Sequence, residues 1–254
     1  MAKMIKLRLE GSDNFFIQES YKVLRTNILF CGEDIKTILM TSTGANEGKT
    51  TISLHLGASL AELGKRVLVL DADMRKSVMA ARESNAKSPT GLSEVLSGQA
   101  KLSDTIYNTQ ISGMSVMFSG QYPPNPAELL SSTRFQGLLT ALRNTFDYVI
   151  IDSPPLGLVV DAAVVAPFCD GAAILIGPDV RASQARDVIE MLQKSGIRIL
   201  GAIVNEYGQP NRRKRERYDY KYYGKSTKST RKKSSDSSAS KEKTTDTSTR
   251  DEPS

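Results

Sequence analysis

The chain has 254 residues, 39% of them apolar, which is enough to bury a core and excludes a wholly disordered protein. The net charge is +6, but residues 207–254 hold 14 basic and 7 acidic side chains, which leaves 20 and 21 elsewhere. The excess positive charge is confined to the C-terminal segment, so the composition does not indicate a core that binds nucleic acid.

The sequence gives no sign of export, membrane insertion or a metal framework. No apolar run approaches the roughly 18 residues that cross a bilayer, and the N-terminus lacks the apolar segment of a signal peptide. Cys31 and Cys169 have no CxxC partner, which predicts two reduced thiols and excludes a CxxC zinc site. We therefore expect a soluble cytoplasmic protein.

The first predicted element is a helix over residues 14–30. Glu19, Lys22 and Arg25 follow each other at three-residue steps along one side of it. On composition alone, this side is a solvated face with weak ion pairs.

Five short runs rich in Val, Ile, Leu and Ala are predicted to be strands, at residues 37–40, 66–70, 148–151, 172–176 and 199–204. Their continuous apolar character is typical of parallel strands that are buried on both faces. Helical patterns occur between them at residues 49–63, 126–144, 161–168 and 183–194. This alternation predicts an α/β fold: a doubly wound, mainly parallel sheet with helices on both faces.

The end of the chain has a different composition. From residue 226 onward, Ala239 is the only apolar residue among Ser, Thr, Lys and acidic residues. Because such a segment cannot bury enough apolar surface to offset the entropy of ordering, we predict a disordered C-terminal tail.

A glycine-rich stretch follows the first predicted strand and precedes a helix, with the sequence Thr43-Gly44-Ala45-Asn46-Glu47-Gly48-Lys49-Thr50. It is a P-loop in which Thr43 replaces the first glycine, so the prediction rests on Gly48-Lys49-Thr50 and on the strand–loop–helix context. Backbone N–H groups at the start of a helix surround phosphate oxygens, and Gly48 allows close approach. Lys49 is predicted to neutralise the β- and γ-phosphates, and Thr50 to bind magnesium.

Acidic residues follow two of the predicted strands. Asp71 and Asp73 come after residues 66–70, and Asp152 comes after residues 148–151. In an open α/β sheet, ligands bind at the carboxyl ends of the strands, where the P-loop also lies. Although any single Asp could be an ordinary turn residue, the group predicts a magnesium site of Thr50, Asp152 and one of Asp71 or Asp73.

Two other polar residues carry weaker signals. Asn205, just after the last strand, could bind adenine or serve an ordinary turn, and the sequence leaves both open. His55 is the only histidine and has no nucleophilic or acidic partner by spacing, so we interpret it as a structural helix residue.

The motifs together resemble the bacterial tyrosine kinases of capsule and exopolysaccharide synthesis, the BY-kinases, which are P-loop NTPases related to the MinD/ParA group. The resemblance covers about residues 19–223. It rests on the P-loop, the Asp-x-Asp-x-Arg element ending at Arg75, the Asp-x-x-Pro element ending at Pro155, and the runs 91–96 and 124–130. Its last feature is a tyrosine cluster of Tyr218, Tyr220, Tyr222 and Tyr223.

This resemblance implies an ATP-dependent protein-tyrosine kinase that autophosphorylates in trans on the tyrosine cluster and regulates capsular or exopolysaccharide synthesis and export. ATP and Mg²⁺ would be its cofactors. Lys49, Asp71, Asp73 and Asp152 would be catalytic, with Asp71 orienting or deprotonating the incoming tyrosine. Thr50, Asp73 and Asp152 would organise the metal. The nucleotide contacts would be Gly44, Ala45, Asn46, Glu47, Gly48, Lys49, Thr50, Thr51, Arg75 and Asn205.

The resemblance also implies a domain organisation and partners. Residues 1–33 would carry the oligomerisation helix, 34–206 the P-loop kinase domain, 207–225 the basic tyrosine-cluster tail and 226–254 the disordered tail. Glu19, Lys22 and Arg25 match the motif that joins subunits into a ring, with Lys22 in place of an arginine, which removes a bidentate fork.

The expected partners follow from the stand-alone type of these kinases. They are a membrane polysaccharide co-polymerase-type adaptor, which activates the kinase and recruits it to the inner face of the membrane, and a cognate tyrosine phosphatase. Nucleic acid is not expected. Tyrosines beside the basic residues 212–215 could stack on bases, but that interpretation leaves the P-loop unexplained. A tethered substrate at high effective concentration explains both features.

Two rival functions share the phosphate chemistry. A MinD/ParA-like ATPase typically has a second lysine five residues before the P-loop lysine, where this chain has Gly44. The other rival is a nucleotide-dependent scaffold of polysaccharide assembly that transfers no phosphate. The tyrosine cluster favours the kinase over both.

Overall fold

The computed structural model describes residues 3–205, and the predicted tails at 207–225 and 226–254, with the tyrosine cluster, lie outside the described residues. The strands are β1 (Met4–Ile5), β2 (Thr37–Ser42), β3 (Val67–Asp71), β4 (Tyr107–Thr109), β5 (Met114–Met117), β6 (Tyr148–Asp152), β7 (Gly171–Ile176) and β8 (Ile199–Val204). The helices are α1 (Phe15–Phe30), α2 (Lys49–Ala61), α3 (Met79–Glu83), α4 (Leu92–Ser97), α5 (Pro126–Leu130), α6 (Thr133–Thr145), α7 (Asp161–Val165) and α8 (Ala182–Lys194). Short 3₁₀ turns occur at Leu102–Asp104 and Ala166–Phe168.

All eight strands form one sheet in the order β1-β4-β5-β3-β6-β2-β7-β8. Each neighbouring pair is parallel except β4 with β5. The P-loop strand β2 is therefore central, with β6 on one side and β7 on the other. This confirms the predicted α/β fold with a mainly parallel sheet.

A hydrophobic core lies on each face of the sheet. Because successive strand residues point to opposite faces, Leu39 belongs to one core and Ile38 to the other. The first core packs under α6 and α8, and the second under α1 and α2. Since both faces are covered, the central strands β2, β3, β6 and β7 are buried and mainly apolar, as the sequence predicted.

The structure corrects two predicted elements. The helix predicted over residues 126–144 is two helices, because the hydroxyl of Ser132 accepts the N–H of Phe135 and begins a new one. The strand predicted at 199–204 forms, but it is an edge strand and not a buried one, and Val204 is 53% exposed.

Helix α1 packs against α2, the helix that follows the P-loop. Its start is fixed by the Asn14 side chain, which accepts the backbone N–H groups of Phe16 and Ile17. Ile28 is buried in the core beneath α2. In the part of the chain that the structure describes, no helix is both long and apolar enough to cross a membrane.

The close packing of α2 on the sheet gives a test of the fold. A Cβ atom at Gly57 would lie 2.8 Å from Val69 Cγ2 and 3.2 Å from Met114 Cε, whereas at Gly137 on α6 it would meet nothing within 4 Å. We expect Gly57→Leu to lower the free energy of unfolding by about 1–3 kcal/mol through overpacking.

The matched control is Gly137→Leu, which we expect to leave that free energy unchanged or to raise it by up to about 1 kcal/mol, because leucine favours helix. Urea denaturation measures both. Equal effects of the two substitutions would contradict the described packing of α2.

Candidate active site

The P-loop connects the end of β2 to the start of α2. Gly48 has a left-handed backbone with φ of 88°, and a Cβ atom there would lie 2.4 Å from Asn205 Nδ2. The Asn205 amide in turn donates to the carbonyl oxygen of Glu47 at 3.0 Å. Only glycine satisfies both the backbone angle and the close approach of Asn205.

The Lys49 side chain faces the start of the loop. It donates to Ser42 Oγ at 2.8 Å and to the Gly44 carbonyl at 3.4 Å. Burial lowers the pKa of Lys49, while the negative charges of Asp152 and Glu47 oppose that shift. A buried cation beside the N-terminal N–H groups of α2 is an arrangement that attracts a phosphate group.

Asp152 ends β6 and faces the first turn of α2. Its Oδ2 accepts the hydroxyl of Thr50 at 2.5 Å, and its Oδ1 is buried without a hydrogen-bond partner among the described residues. Burial raises the pKa of Asp152 to about 7, against the opposing effects of Thr50 and Lys49. A buried carboxylate oxygen without a partner beside a hydroxyl is the donor set that a hard cation prefers.

These residues fit magnesium better than a metal held by protein ligands alone. Within residues 3–205, no group of three or more His, Cys, Asp or Glu side chains could hold a metal ion. Mg²⁺ keeps several waters and takes only one or two carboxylates plus phosphate oxygens. Thr50 and Asp152 meet that need, and Asp73 lines the same cavity.

Asp71 and Asp73 occupy different positions although they are two residues apart. Asp71 pairs with Asp152 in the register of β3 and β6, and it accepts the Ser77 hydroxyl and the Asp73 N–H. Burial, and then the charge of Asp152, raise the pKa of Asp71 well above its usual range. The half-buried Asp73 instead accepts the N–H groups of Arg75 and Lys76. Asp73 is on the cavity wall, and Asp71 lies behind it.

Arg75 forms a bidentate ion pair with Asp161 at the start of α7. The two bonds are 2.7 and 2.8 Å long, and Asp161 is completely buried. Arg75 also lines the cavity, so this ion pair joins the segment after β3 to the opposite wall of the site.

The residues described above surround a cavity of about 510 Å³. Its floor is the P-loop and the start of α2, one wall is the segment 73–83, and the other is the segment 152–159. Sequence reasoning missed several lining residues because no motif marks them, namely Lys76, Val78, Arg82, Glu83, Leu158 and Val159. Glu83 accepts the Thr51 hydroxyl at 3.0 Å, which links α3 to the P-loop helix.

A second cavity of about 420 Å³ shares the P-loop. It contains Ala45, Asn46 and Glu47, the turn from Gly177 to Val180, and Asn205. All ten residues predicted to bind nucleotide line at least one of these cavities. The larger is lined by Gly48, Lys49, Thr50, Thr51 and Arg75, the smaller by Gly44, Glu47 and Asn205, and both by Ala45 and Asn46.

The residues predicted for oligomerisation lie on α1 and not at either cavity. Glu19 and Lys22 form a half-exposed ion pair at 2.7 Å. Arg25 points the other way and donates to the Ser59 carbonyl of α2 at 2.7 Å, with only 14% of its side chain exposed. His55 of α2 stacks on Tyr21, with ring centroids 4.4 Å apart, as expected for a structural residue.

The raised pKa of Asp152 predicts how stability depends on pH. Between about pH 4 and 7 the folded protein holds a proton on Asp152 that the unfolded chain releases, so stability falls as the pH rises through this range. An asparagine at this position would not ionise, so Asp152→Asn removes this pH-dependent fall in stability. We expect the variant to gain on the order of 2 kcal/mol of unfolding free energy at pH 7.5 and much less at pH 4.5.

The control for this experiment is Asp147→Asn. Hydrogen bonds from Arg66 lower the pKa of Asp147, so its contribution is lost as the pH falls and the dependence has the opposite sign. Urea denaturation at several pH values measures both variants. A pH-independent difference between Asp152→Asn and the unsubstituted chain would contradict the assignment.

The chain resembles known proteins across the region just described. Residues 35–196 match the family model described as AAA domain. Tyrosine-protein kinase CpsD of Streptococcus agalactiae is 38% identical over 211 residues, which cover 79% of this chain and 92% of that protein.

Solved structures of a tyrosine kinase domain and of a MinD protein are also similar to this chain. The kinase domain of the Escherichia coli tyrosine kinase ETK superposes with a TM-score of 0.70 at 32% identity, covering 74% of each chain. The septum site-determining protein MinD of Pyrococcus horikoshii, complexed with Mg-ADP, superposes with a TM-score of 0.58 at 27% identity, covering 68% of this chain and 71% of that one. The P-loop, the aspartates of the sheet edge and these similarities agree, and the chain belongs to the BY-kinases, the bacterial protein-tyrosine kinases of the P-loop NTPase group.

Proposed function

We propose that this tyrosine kinase autophosphorylates in trans on Tyr218, Tyr220, Tyr222 and Tyr223 and thereby regulates capsular or exopolysaccharide synthesis and export. The observation that carries the proposal is a single cavity that contains Lys49, Thr50, Asp73 and Asp152, in a chain that carries a tyrosine cluster at residues 218–223. A triphosphate on the P-loop and a phenol entering from the open side would meet in this cavity.

The P-loop residues 44–51 bind the phosphates of ATP in this proposal. Backbone N–H groups at the start of α2 and the Lys49 ammonium supply positive charge. The smaller cavity, with Asn205 beside Glu47, takes the nucleoside. Thr50, Asp73 and Asp152 hold Mg²⁺, which when bound neutralises charge on the transferring phosphoryl group.

The tyrosine oxygen bonds to the γ-phosphorus, the bond from that phosphorus to the β–γ bridging oxygen breaks, and ADP leaves with that oxygen. Lys49 stabilises the charge that develops. The phenolic proton passes to a carboxylate or to solvent. The family resemblance makes Asp71 the candidate base. Burial raises its pKa and favours the protonated form, so Asp71 must first be ionised and released by the Ser77 hydroxyl before it can accept the proton.

We further propose that α1 joins subunits into a ring. Phe16, Val23 and Phe30 lie seven residues apart on its outer side and are 52, 60 and 82% exposed. Glu19 and Lys22, on the same helix, are half-exposed. An apolar stripe with flanking charges supports a contact with a second copy. Arg25 contributes indirectly, by fixing α1 to α2.

The proposed setting is the cytoplasm. A membrane co-polymerase-type adaptor recruits the kinase to the inner face of the membrane and activates it, and a tyrosine phosphatase reverses the modification. These partners follow from membership of the family, and a test is co-purification of the kinase with the adaptor's cytoplasmic segment.

The ATPase and the scaffold remain as alternatives because MinD shares the fold. Gly44 stands where such ATPases have their second lysine, and a Cβ atom there would lie 2.9 Å from Glu47 Oε1. The Glu47 carboxylate is the flexible end of its side chain, so this contact alone does not exclude a larger residue. What favours the kinase is the absence of the second lysine together with the tyrosine cluster.

The central prediction concerns Lys49. The full chain incubated with Mg²⁺ and ATP should acquire phosphotyrosine, and Lys49→Met should reduce the initial rate at least about 100-fold, because its charge acts directly on the phosphates. Immunoblotting for phosphotyrosine measures this.

The matched control for Lys49 is Lys65→Met, an exposed lysine after α2 whose loss should leave the rate unchanged. Phosphate release without phosphotyrosine would point to the ATPase. Absence of both signals, with nucleotide still bound, would point to the scaffold.

A second prediction separates the two roles of α1. Glu19→Ala/Lys22→Ala should reduce the oligomer mass in light scattering and leave the thermal unfolding midpoint nearly unchanged, because a half-exposed ion pair contributes little to stability. Arg25→Ala should reduce the oligomer mass too, and unlike the double variant it should lower the free energy of unfolding by about 1–3 kcal/mol. The reason is that the buried Ser59 carbonyl loses its guanidinium partner. An unchanged oligomer mass in the double variant would refute the assigned contact.

A further inference from the structure

The two walls of the larger cavity differ in chemistry. The wall formed by segment 152–159 is apolar at its open side, where Leu158 is 65% exposed next to Val159 and Pro155. The opposite wall carries the cations Lys76 and Arg82, one on each side of Val78. The cleft therefore presents an apolar surface facing a basic one, above the phosphate-binding floor.

Some charged side chains of the wall formed by segment 73–83 already have partners, and others do not. Arg75 is paired with Asp161, Glu83 accepts the Thr51 hydroxyl, and Asp73 accepts two backbone N–H groups. By contrast, the exposed side chains of Lys76 and Arg82 form no ion pair within residues 3–205. Two cations at the mouth of the cleft are thus available to an incoming acidic group.

These two cations are poorly suited to serve the nucleotide. Lys49 and the N-terminal N–H groups of α2 already face the phosphates from the floor of the cleft. Lys76 and Arg82 lie on the side wall formed by segment 73–83, and both residues are exposed to solvent. Their charges act most strongly on whatever enters from solvent.

We propose that Lys76 and Arg82 are specificity residues that select tyrosines with an acidic neighbour, while the phenol ring packs on the apolar wall. This inference rests on the proposed kinase function and names the substrate class of the same site. The aromatic ring meets Leu158 and Val159, and the neighbouring carboxylate meets the two cations.

The chain's own tyrosine cluster contains both kinds of target. Asp219 lies between Tyr218 and Tyr220, whereas Tyr222 and Tyr223 are bordered by Lys221 and Gly224. The first pair should therefore be phosphorylated before the second. Each phosphate adds a charge of about −1.5 to −2, so the first reaction supplies the acidic neighbour that the later ones lack.

A trans assay with full-length chains tests this selectivity. The kinase is the chain with its four tail tyrosines changed to Phe, and the substrate is the Lys49→Met chain with its tail intact. Trypsin cuts after Arg217, Lys221 and Lys225, so the two tyrosine pairs fall in separate peptides that mass spectrometry can quantify.

The expected result is faster phosphorylation of the Tyr218/Tyr220 peptide. Asp219→Asn in the substrate should slow that peptide about fivefold, as expected for one partly exposed ion pair. Lys76→Glu/Arg82→Glu in the kinase should remove the preference. Asp219→Lys in the substrate should restore activity with that variant. Because the new lysine adds a tryptic site between Tyr218 and Tyr220, this substrate is measured by immunoblotting for phosphotyrosine. Lys87→Glu, an exposed control outside the cavity, should change nothing.

Two results would overturn the proposal. One is an Asp219→Asn substrate phosphorylated at the original rate. The other is a Lys76→Glu/Arg82→Glu kinase whose defect is a raised KM for ATP with an unchanged peptide ratio. If the tail acquires no phosphotyrosine at all, the result refutes the proposed trans autophosphorylation and leaves the selectivity to be tested separately. A synthetic peptide of residues 216–224, with and without Asp219→Asn, provides that test. Equal rates of phosphorylation for the two peptides would contradict the selectivity.

Discussion

The hydrogen bond between the Thr50 hydroxyl and Asp152 is the contact on which the rest of the site depends. It joins the helix after the P-loop to the neighbouring strand of the sheet. It exists because β6 lies directly beside β2, and Asp152 is the last residue of its strand. The same strand pairs with β3 on its other side, which aligns Asp71 with Asp152. The strand order therefore gathers the acidic residues beside the phosphate loop.

The folded protein therefore holds two buried carboxyl groups whose ionised forms are unfavourable. Asp71 and Asp152 are both buried, which raises both pKa values, and the Lys49 ammonium only partly offsets this for Asp152. A cation that binds near Asp152 would relieve the strain, so a ligand-free site and a loaded site differ in stability. Strongly perturbed pKa values of this kind cluster at functional sites.

Sequence periodicity predicted most of the fold because buried parallel strands and the P-loop leave strong local signals. The strands β1, β4 and β5 and the helices α3 and α4 were missed since they are two to six residues long, too short to show a period. The aspartates could be predicted from their positions at strand ends. Glu83 and Arg82 could not, because a short helix brings them to the cavity only through long-range packing.

Asn205 lies far from the P-loop in the sequence but contacts it in the fold. It follows directly after β8, its amide donates to the carbonyl oxygen of Glu47, and its side chain lies close to Gly48. The end of the edge strand is therefore fixed to the P-loop by one side chain. A substitution at residue 205 would disturb the backbone of the loop while leaving every residue of the loop motif unchanged.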